Sequence, residues 1–158
     1  MNTESGLPPI EAMLYRHEGE MLVCELCAHY CKLKDGRLGI CGVRKRIGNK
    51  LYTLVYGKAI ASAIDPIEKK PFFHVLPGTR SFSIATIGCN FRCAFCQNWD
   101  ISQKRGVEAF GRDLPPKEVV RLAKQSGCQT VAYTYSEPTI FFEYTFDTSR
   151  LADEEGIL

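Results

Sequence analysis

Long apolar runs are missing from this sequence, and none reaches the ~18 residues that a membrane span requires. An excess of one charge is also missing. Twenty basic residues stand against 18 acidic ones, for a net charge of +2. That balance makes no polyanion the default partner, so nucleic acid is not expected. Residues Met1–Glu11 carry two acids, two prolines and no base. They lack the basic start and apolar core of a signal peptide, so a cytoplasmic location with no membrane partner is the expectation. Internal repeats and low-complexity tracts are absent as well. What is present is an ordinary globular balance, 45% hydrophobic and 24% charged, over 158 residues. It excludes a disordered or fibrous protein and suits one domain, or one small domain plus part of another.

Cysteine is abundant, with eight residues. In a reducing cytoplasm, clustered cysteines bind metal or do redox chemistry more often than they form disulfides. Seven of them fall in two sets. Cys24, Cys27, Cys31 and Cys41 space as C-x2-C-x3-C-x9-C, and Cys89, Cys93 and Cys96 as C-x3-C-x2-C. Cys128 stands alone and reads as a small core residue. Four thiolates in a small glycine-rich loop suit zinc. A second Fe–S cluster and unliganded thiols are the alternatives, and His29 is a possible substitute for one thiolate. The spacing does not match a zinc finger whose helix reads DNA.

Along the chain, residues 1–64 read as an N-terminal module around the Cys-rich loop. Within it, residues 1–20 form a lead-in with an amphipathic stretch at Ile10–Arg16, and Leu51–Ile64 has β character. Residues 65–80 hold three prolines and read as an irregular connector. Lys69, Lys70 and His74 within it read as a solvated charged turn, with an anion or partner contact as the alternative. The pattern then becomes regular over residues 81–158. A strand is expected over Ser81–Ile87, then the cysteine loop. Pro115–Pro116 should open a helix running to Ser126 and closed by Gly127. A second strand follows over Gln129–Thr134. Another helix should start at Pro138, with Ile140, Phe141, Tyr144, Leu151 and Ala152 as core positions. Ile157 and Leu158 read as the start of a third strand. This order predicts an α/β fold with a parallel sheet, cut short as an N-terminal fragment of a longer protein. Tyr133 and Tyr135 are expected on opposite faces of that sheet.

Three thiolates within eight residues, Cys89 to Cys96, can wrap one compact inorganic cluster. A structural zinc site takes four protein ligands. Three suit a 4Fe–4S cubane with one iron left open, whereas purely electron-transferring clusters usually take four cysteines. A zinc knuckle completed by a distant ligand, or plain buried thiols, are the alternatives. The loop follows a strand, at the end where α/β folds place their ligands.

The C-x3-C-x-aromatic-C pattern, with Phe95 as the aromatic, resembles the signature of radical S-adenosylmethionine (SAM) enzymes. The strings SIATIGCNFRCAFCQNWDIS, CELCAHYCKLKDGRLGICGVR, DPIEKKPFFHVLPG and AYTYSEPT resemble one subgroup, the AmmeMemoRadiSam-system radical SAM enzymes, related to pyruvate formate-lyase-activating enzymes. The resemblance spans about residues 14–145. It implies a partial (β/α) barrel behind the small Cys-rich loop module, with a 4Fe–4S cluster on Cys89, Cys93 and Cys96. It further implies reductive cleavage of SAM to a 5′-deoxyadenosyl radical that abstracts hydrogen, an oxidoreductase or activating-enzyme chemistry. By the same resemblance, Glu137 helps to hold the SAM amino group, and the main chain at Phe95 lies near adenine. Glu137 and Pro138 also suit a helix cap, and Phe95 also suits packing of the loop onto the barrel end. Tyr135–Ser136 stands where the family commonly has Gly-Gly. Gln97, Asn98 and Trp99 follow the last thiol, as candidates to shield the cluster or, for Trp99, to pack the loop. Reduced flavodoxin or ferredoxin is the implied electron donor. The substrate is not legible, and a protein is one candidate. Two other readings stand beside this one: a glycyl-radical-enzyme activase, and a non-catalytic zinc-binding interaction module.

Overall fold

In the computed structural model, residues 9–105 and 111–158 are described. The first eight residues of the expected lead-in lie outside them. The elements are β1 (Ile10–Glu11), β2 (Tyr15–Glu18), β3 (Met21–Cys24), β4 (Lys32–Leu33), β5 (Arg44–Ile47), β6 (Lys50–Thr53), β7 (Lys58–Ala59), β8 (Ala61–Pro66), β9 (Arg80–Ala85), α1 (Trp99–Ser102), β10 (Arg112–Asp113), α2 (Pro116–Gln125), β11 (Thr130–Tyr133) and α3 (Phe142–Glu154). The fold is mixed α/β. No helix among the described residues is long and apolar enough to cross a membrane.

Antiparallel hairpins make up the N-terminal part. β2, β3 and β4 form one sheet, and β1, β6 and β5 another. The amphipathic stretch at Ile10–Arg16 becomes β1 and the start of β2, and β1 lies against β6. β5 and β6 join through Gly48–Asn49, a two-residue loop whose first residue has φ +59°. That left-handed conformation matches the twist of tight hairpins. The β-rich stretch Leu51–Ile64 is not continuous. A turn closed by the Lys58 N–H on the Val55 carbonyl, at 3.2 Å, divides it among β6, β7 and β8. Ala12, Leu22, Cys24, Leu33 and Leu51 make a small core of their own here.

The main sheet has the order β11–β9–β8. β9 pairs in parallel with β11, from Ser81 against Thr130 to Ile84 against Tyr133. The expected β–α–β crossover through α2 is therefore present. β8 adds an antiparallel edge to it, with Ala61 against Ala85 and Pro66 against Arg80. Leu158 donates to the Gln129 carbonyl at 3.0 Å and accepts from the Val131 N–H at 2.7 Å. Those two bonds have the pattern of a parallel pairing, so Leu158 lies beside β11. Pro115 and Pro116 open α2, whose Val119, Val120 and Ala123 are buried. The expected helix from Pro138 begins instead as a 3₁₀ turn over Pro138–Phe141. It becomes α-helical only from Phe142, because Glu137 closes the turn through its carbonyl on the Ile140 N–H at 3.2 Å. Ile140, Phe141, Tyr144 and Ala152 are buried as expected, and Leu151 packs partly buried against them.

One core joins the sheet, the helices and the N-terminal part. Phe82, Ile84, Val119, Phe141 and Tyr144 share it with Cys41, Val43, Val55 and Ala59, and Cys128 lies within it. Each large apolar side chain taken fully from water contributes roughly 1.5–3 kcal/mol. A buried ion pair spans the same junction. Arg44 Nη2 meets Glu143 Oε1 at 2.9 Å, with side-chain exposures of 1% and 2%. The same guanidinium donates to the Met13 carbonyl, and Glu143 Oε1 accepts the Met13 N–H at 2.6 Å. The pair thereby ties α3 to β5 and to the segment after β1.

Breaking a buried pair leaves an uncompensated charge, which costs about 3–5 kcal/mol. Glu143→Ala should lower unfolding stability by that amount in urea titrations. The double variant Arg44→Met/Glu143→Leu should lose far less, since it leaves no charge behind. A double variant as unstable as Glu143→Ala would contradict this.

Candidate functional site

β9 ends at Ala85, and the chain turns through Gly88 into the three-cysteine loop. Gly88 has φ +86°, and a Cβ there would stand 2.5 Å from Val43 Cγ1 and 2.7 Å from the Cys41 carbonyl oxygen. Only glycine allows both the dihedral and the approach. The loop is pinned on either side of this contact. Cys89 N–H donates to the Cys41 carbonyl at 3.3 Å and Gly88 N–H to Ile101 at 3.1 Å. Further on, the His29 ring Nε2 donates to the Asn90 carbonyl at 2.9 Å, and Arg92 Nη2 to the Ile40 carbonyl at 2.8 Å. His29 thus bridges the two cysteine loops.

Cys89 is buried, Cys96 half-buried and Cys93 exposed, and all are free thiols. The Phe91 N–H points at Cys89 Sγ over 3.3 Å, and Cys96 Sγ lies 3.5 Å from Ser102 Oγ. Among the described residues, no three Cys, His, Asp or Glu side chains are placed to hold a metal ion. That statement covers both cysteine sets. The donors nevertheless fit a thiolate-ligated group in their chemistry. They are three unoxidised sulfurs on one loop, one of them already receiving a main-chain N–H. Ligation requires the exposed Cys93 to turn toward the other two. Phe95 is 87% exposed and Trp99 is 55% exposed. Neither ring packs the loop onto the core.

A second loop leaves β11 at the same end of the sheet. Tyr135 has φ +65°, a left-handed conformation that costs a non-glycine residue ~1–2 kcal/mol. Three contacts compensate. Its hydroxyl donates to Asp65 Oδ2 at 2.9 Å, Lys70 Nζ lies 5.1 Å from its ring centre, and its carbonyl accepts Asn98 Nδ2 at 3.0 Å. The departure from Gly-Gly is accommodated in this way. Residues two apart on a regular strand share a face, and the left-handed turn is what reverses Tyr135. Tyr133 reaches Ser149 of α3 on the opposite side, as expected. Ser136 Oγ donates to the Thr86 carbonyl at 2.8 Å. Glu137 Oε1 accepts from Thr139 N–H at 3.2 Å and from Thr139 Oγ1 at 2.6 Å. Glu137 is therefore a helix cap, standing across the Asn98 link from the cysteine loop.

Asp65 was not singled out by its sequence context, although D-x3-K-K is a spacing at which two lysines can fold back. Its carboxylate is buried and accepts from Lys69 at 2.9 Å, Lys70 at 2.7 Å, Ser83 Oγ at 2.9 Å and Tyr135. Burial pushes its carboxyl up most strongly as a single influence. Hydrogen bonds from Lys70, Lys69, Tyr135 and Ser83 together outweigh it and hold the group well below the usual range. The lysine pair is thus not a simple solvated turn. The Lys70 side chain is only 10% exposed, whereas Lys69 and His74 face solvent.

A carboxylate held low in the folded chain adds stability that is present above its unfolded value of about 3.9 and lost as pH falls through the folded one. Asp65→Asn should therefore lower the urea midpoint at pH 7. It should also flatten the decline of that midpoint below about pH 4. An unchanged acid profile in Asp65→Asn would contradict the anchoring role.

The chain shares sequence with known proteins. It is 45% identical over 148 residues to the uncharacterized protein MJ0808 of Methanocaldococcus jannaschii, covering 93% of this chain and 44% of that protein. It is 37% identical over 68 residues to the uncharacterized protein MJ0674 of the same organism, covering 37% of this chain and 19% of that one. The chain thus spans less than half the length of either relative. No solved structure gives a significant match. Residues 83–158, which hold the second half of β9, the Cys89–Cys96 loop, β11 and Glu137, match the family model of the Radical SAM superfamily.

Proposed function

We propose that this chain carries the cluster-binding part of a radical SAM enzyme. The observation that carries the reading is a juxtaposition. The three-thiol loop and Glu137 leave neighbouring parallel strands, β9 and β11, at the same end. They are joined there by Asn98 to the Tyr135 carbonyl and by Ser136 to the Thr86 carbonyl. Ligands of open α/β sheets bind at the carboxyl ends of the strands. The family match over residues 83–158 supports the same reading.

Cys89, Cys93 and Cys96 would hold a 4Fe–4S cluster, which when bound supplies one electron for cleavage of a carbon–sulfur bond in SAM. Phe91 N–H orients Cys89 Sγ. Glu137 presents a carboxylate to the ammonium of SAM, a charge-assisted contact that fixes orientation. The Asp65–Tyr135 bond and the Lys70 cation hold the strand-end backbone from which Glu137 projects. The exposed ring of Phe95 lies on the outer side of the loop, where a cofactor can cover it. The sheet then forms strands of a partial (β/α) barrel. Reduced flavodoxin or ferredoxin is the proposed electron donor, in a cytoplasmic setting. Glycyl-radical activation of a protein substrate is the runner-up within this chemistry.

The test uses the complete protein, prepared anaerobically and supplied with iron, sulfide, dithionite and SAM. Release of 5′-deoxyadenosine is expected, and Cys93→Ala should lower it at least a hundredfold. Full activity in Cys93→Ala would refute the cluster assignment. Glu137→Gln keeps the cap's acceptor but removes the charge. It should raise the SAM concentration needed for half-maximal cleavage by roughly tenfold or more, the equivalent of ~1.4 kcal/mol. An unchanged SAM requirement would remove Glu137 from the site.

A further inference from the structure

The two faces of the main sheet differ in chemistry. Phe82 and Ile84 of β9 join the core with Val119 of α2 and Tyr144 of α3, and Val131 and Tyr133 of β11 pack against it. Side chains alternate along a strand, so Ser81, Ser83 and Ala85, with Thr130 and Ala132, take the other face. The register sets Asp65, Ser81 and Thr130 in one row across β8, β9 and β11, and Ala63, Ser83 and Ala132 in the next. A parallel pair buried on both sides is ordinarily apolar on both, and this face is small and polar instead. The proline-rich segment folds back toward it. Ile67 is buried, and its N–H donates to the Thr79 carbonyl at 3.0 Å.

Between that segment and the polar face lies a cavity of about 330 Å³, with Ile67, Lys70, Phe72, Ser81, Thr130 and Thr134 in its lining. Its size is within the range of small-molecule sites. Among the described residues that line it, Lys70 is the only one with a charged side chain. The Lys70 ammonium meets Asp65 Oδ2 at 2.7 Å, and Lys69 meets Oδ1 of the same carboxylate at 2.9 Å. Two lysines on one aspartate leave one positive charge uncompensated. Glu68 does not supply the missing negative charge to Lys70, because its carboxylate accepts the Gly78 N–H at 2.7 Å. Ser81 is 0% exposed and Thr130 9% exposed, and neither hydroxyl has a hydrogen-bond partner among the described residues. A buried hydroxyl without a partner is costly, and two in one row call for a shared acceptor. A carboxylate accepts at both oxygens and carries the single negative charge that is wanted. Ile67 and Phe72 give the rest of the space an apolar wall.

We propose that this cavity binds an organic carboxylic acid, with its carboxylate toward Lys70, Ser81 and Thr130 and its apolar body against Ile67 and Phe72. The cavity also adjoins the strand end that carries the candidate site. Thr134 leads into Tyr135, whose ring centre lies 5.1 Å from Lys70 Nζ and whose carbonyl is tied to Asn98 of the thiol loop. An acid seated there rests against the loop from which Glu137 projects, which makes organic acids the substrate class of the reaction proposed above. That last assignment rests on the radical SAM reading, whereas the cavity and its charge do not.

The experiment keeps the two apart. Binding is measured by calorimetry on the complete protein without iron, reductant or SAM, with hexanoate as the probe and hexanol and hexylamine as its uncharged and cationic counterparts. Hexanoate should bind at least tenfold more tightly than either. Lys70→Met keeps the aliphatic stem and should weaken hexanoate at least tenfold, and Lys69→Met should weaken it less than twofold. Because Lys70 also supports Tyr135, Ala132→Leu provides a second variant that fills the cavity and leaves the lysine alone; it should weaken hexanoate to the same extent. Hexanoate that does not bind, that hexanol matches, or that binds both variants as well as the unchanged protein would overturn the proposal. In the loaded protein, saturating hexanoate should raise 5′-deoxyadenosine release at least threefold, and an unchanged rate would overturn the substrate assignment. Hexanoate binding in a protein that never releases 5′-deoxyadenosine would keep the cavity and remove the radical reading. Release without hexanoate binding would do the reverse.

Discussion

The approach of Gly88 to the Cys41 carbonyl and the Val43 side chain governs how the rest of the chain is arranged. At this contact the strand that leads to the three thiols touches the turn that carries the last of the other four. No side chain fits there, so the cysteine loop can sit directly against the N-terminal part. The Arg44–Glu143 pair and the apolar side chains of Val43, Val55 and Ala59 hold the same junction from the helix side. A buried pair of this kind is weak evidence for net stability, and Arg44 Nε and Nη1 and Glu143 Oε2 have no hydrogen-bond partner among the described residues. Its effect is to fix one relative placement of β5 and α3.

Function depends on that placement through two loops. The thiols and Glu137 come from adjacent parallel strands, and the polar links between their loops use main-chain carbonyls as acceptors. A carbonyl accepts only if the backbone is held, and at Tyr135 it is held in a conformation that few residues take. Asp65 and Lys70 lie near the other end of the sheet and act at this point through the tyrosine ring and hydroxyl. The proline-rich segment therefore contributes to the geometry of the strand ends without being near the thiols in sequence.

Much of this was legible in the sequence. Ser81–Ile87, the Pro115–Gly127 helix and Gln129–Thr134 carry strong local signals of alternation, proline and glycine. The structure places α2 and β11 within those bounds and starts β9 one residue earlier, at Arg80. Hairpins in the first sixty residues were less legible, because strands of two to four residues have no usable period. The antiparallel edge β8 was hidden in a stretch read as uniformly β. The 3₁₀ turn before α3 depends on the Glu137 cap, which competes locally with a regular first turn. Asp65 was missed because its partners Ser83 and Tyr135 are distant in sequence. Packing was one of two readings of Phe95 and the expected role of Trp99, and both rings are exposed instead.

The central claim is that Cys89, Cys93 and Cys96 share one cluster with an iron open to SAM. The most direct measurement is the electron paramagnetic resonance spectrum of the complete protein, reduced under strict anaerobiosis, before and after SAM is added. A reduced 4Fe–4S signal that shifts on adding SAM, and is lost in Cys89→Ala, Cys93→Ala and Cys96→Ala alike, is the predicted result. A protein with no such signal, or a signal that ignores SAM and survives those substitutions, would contradict it.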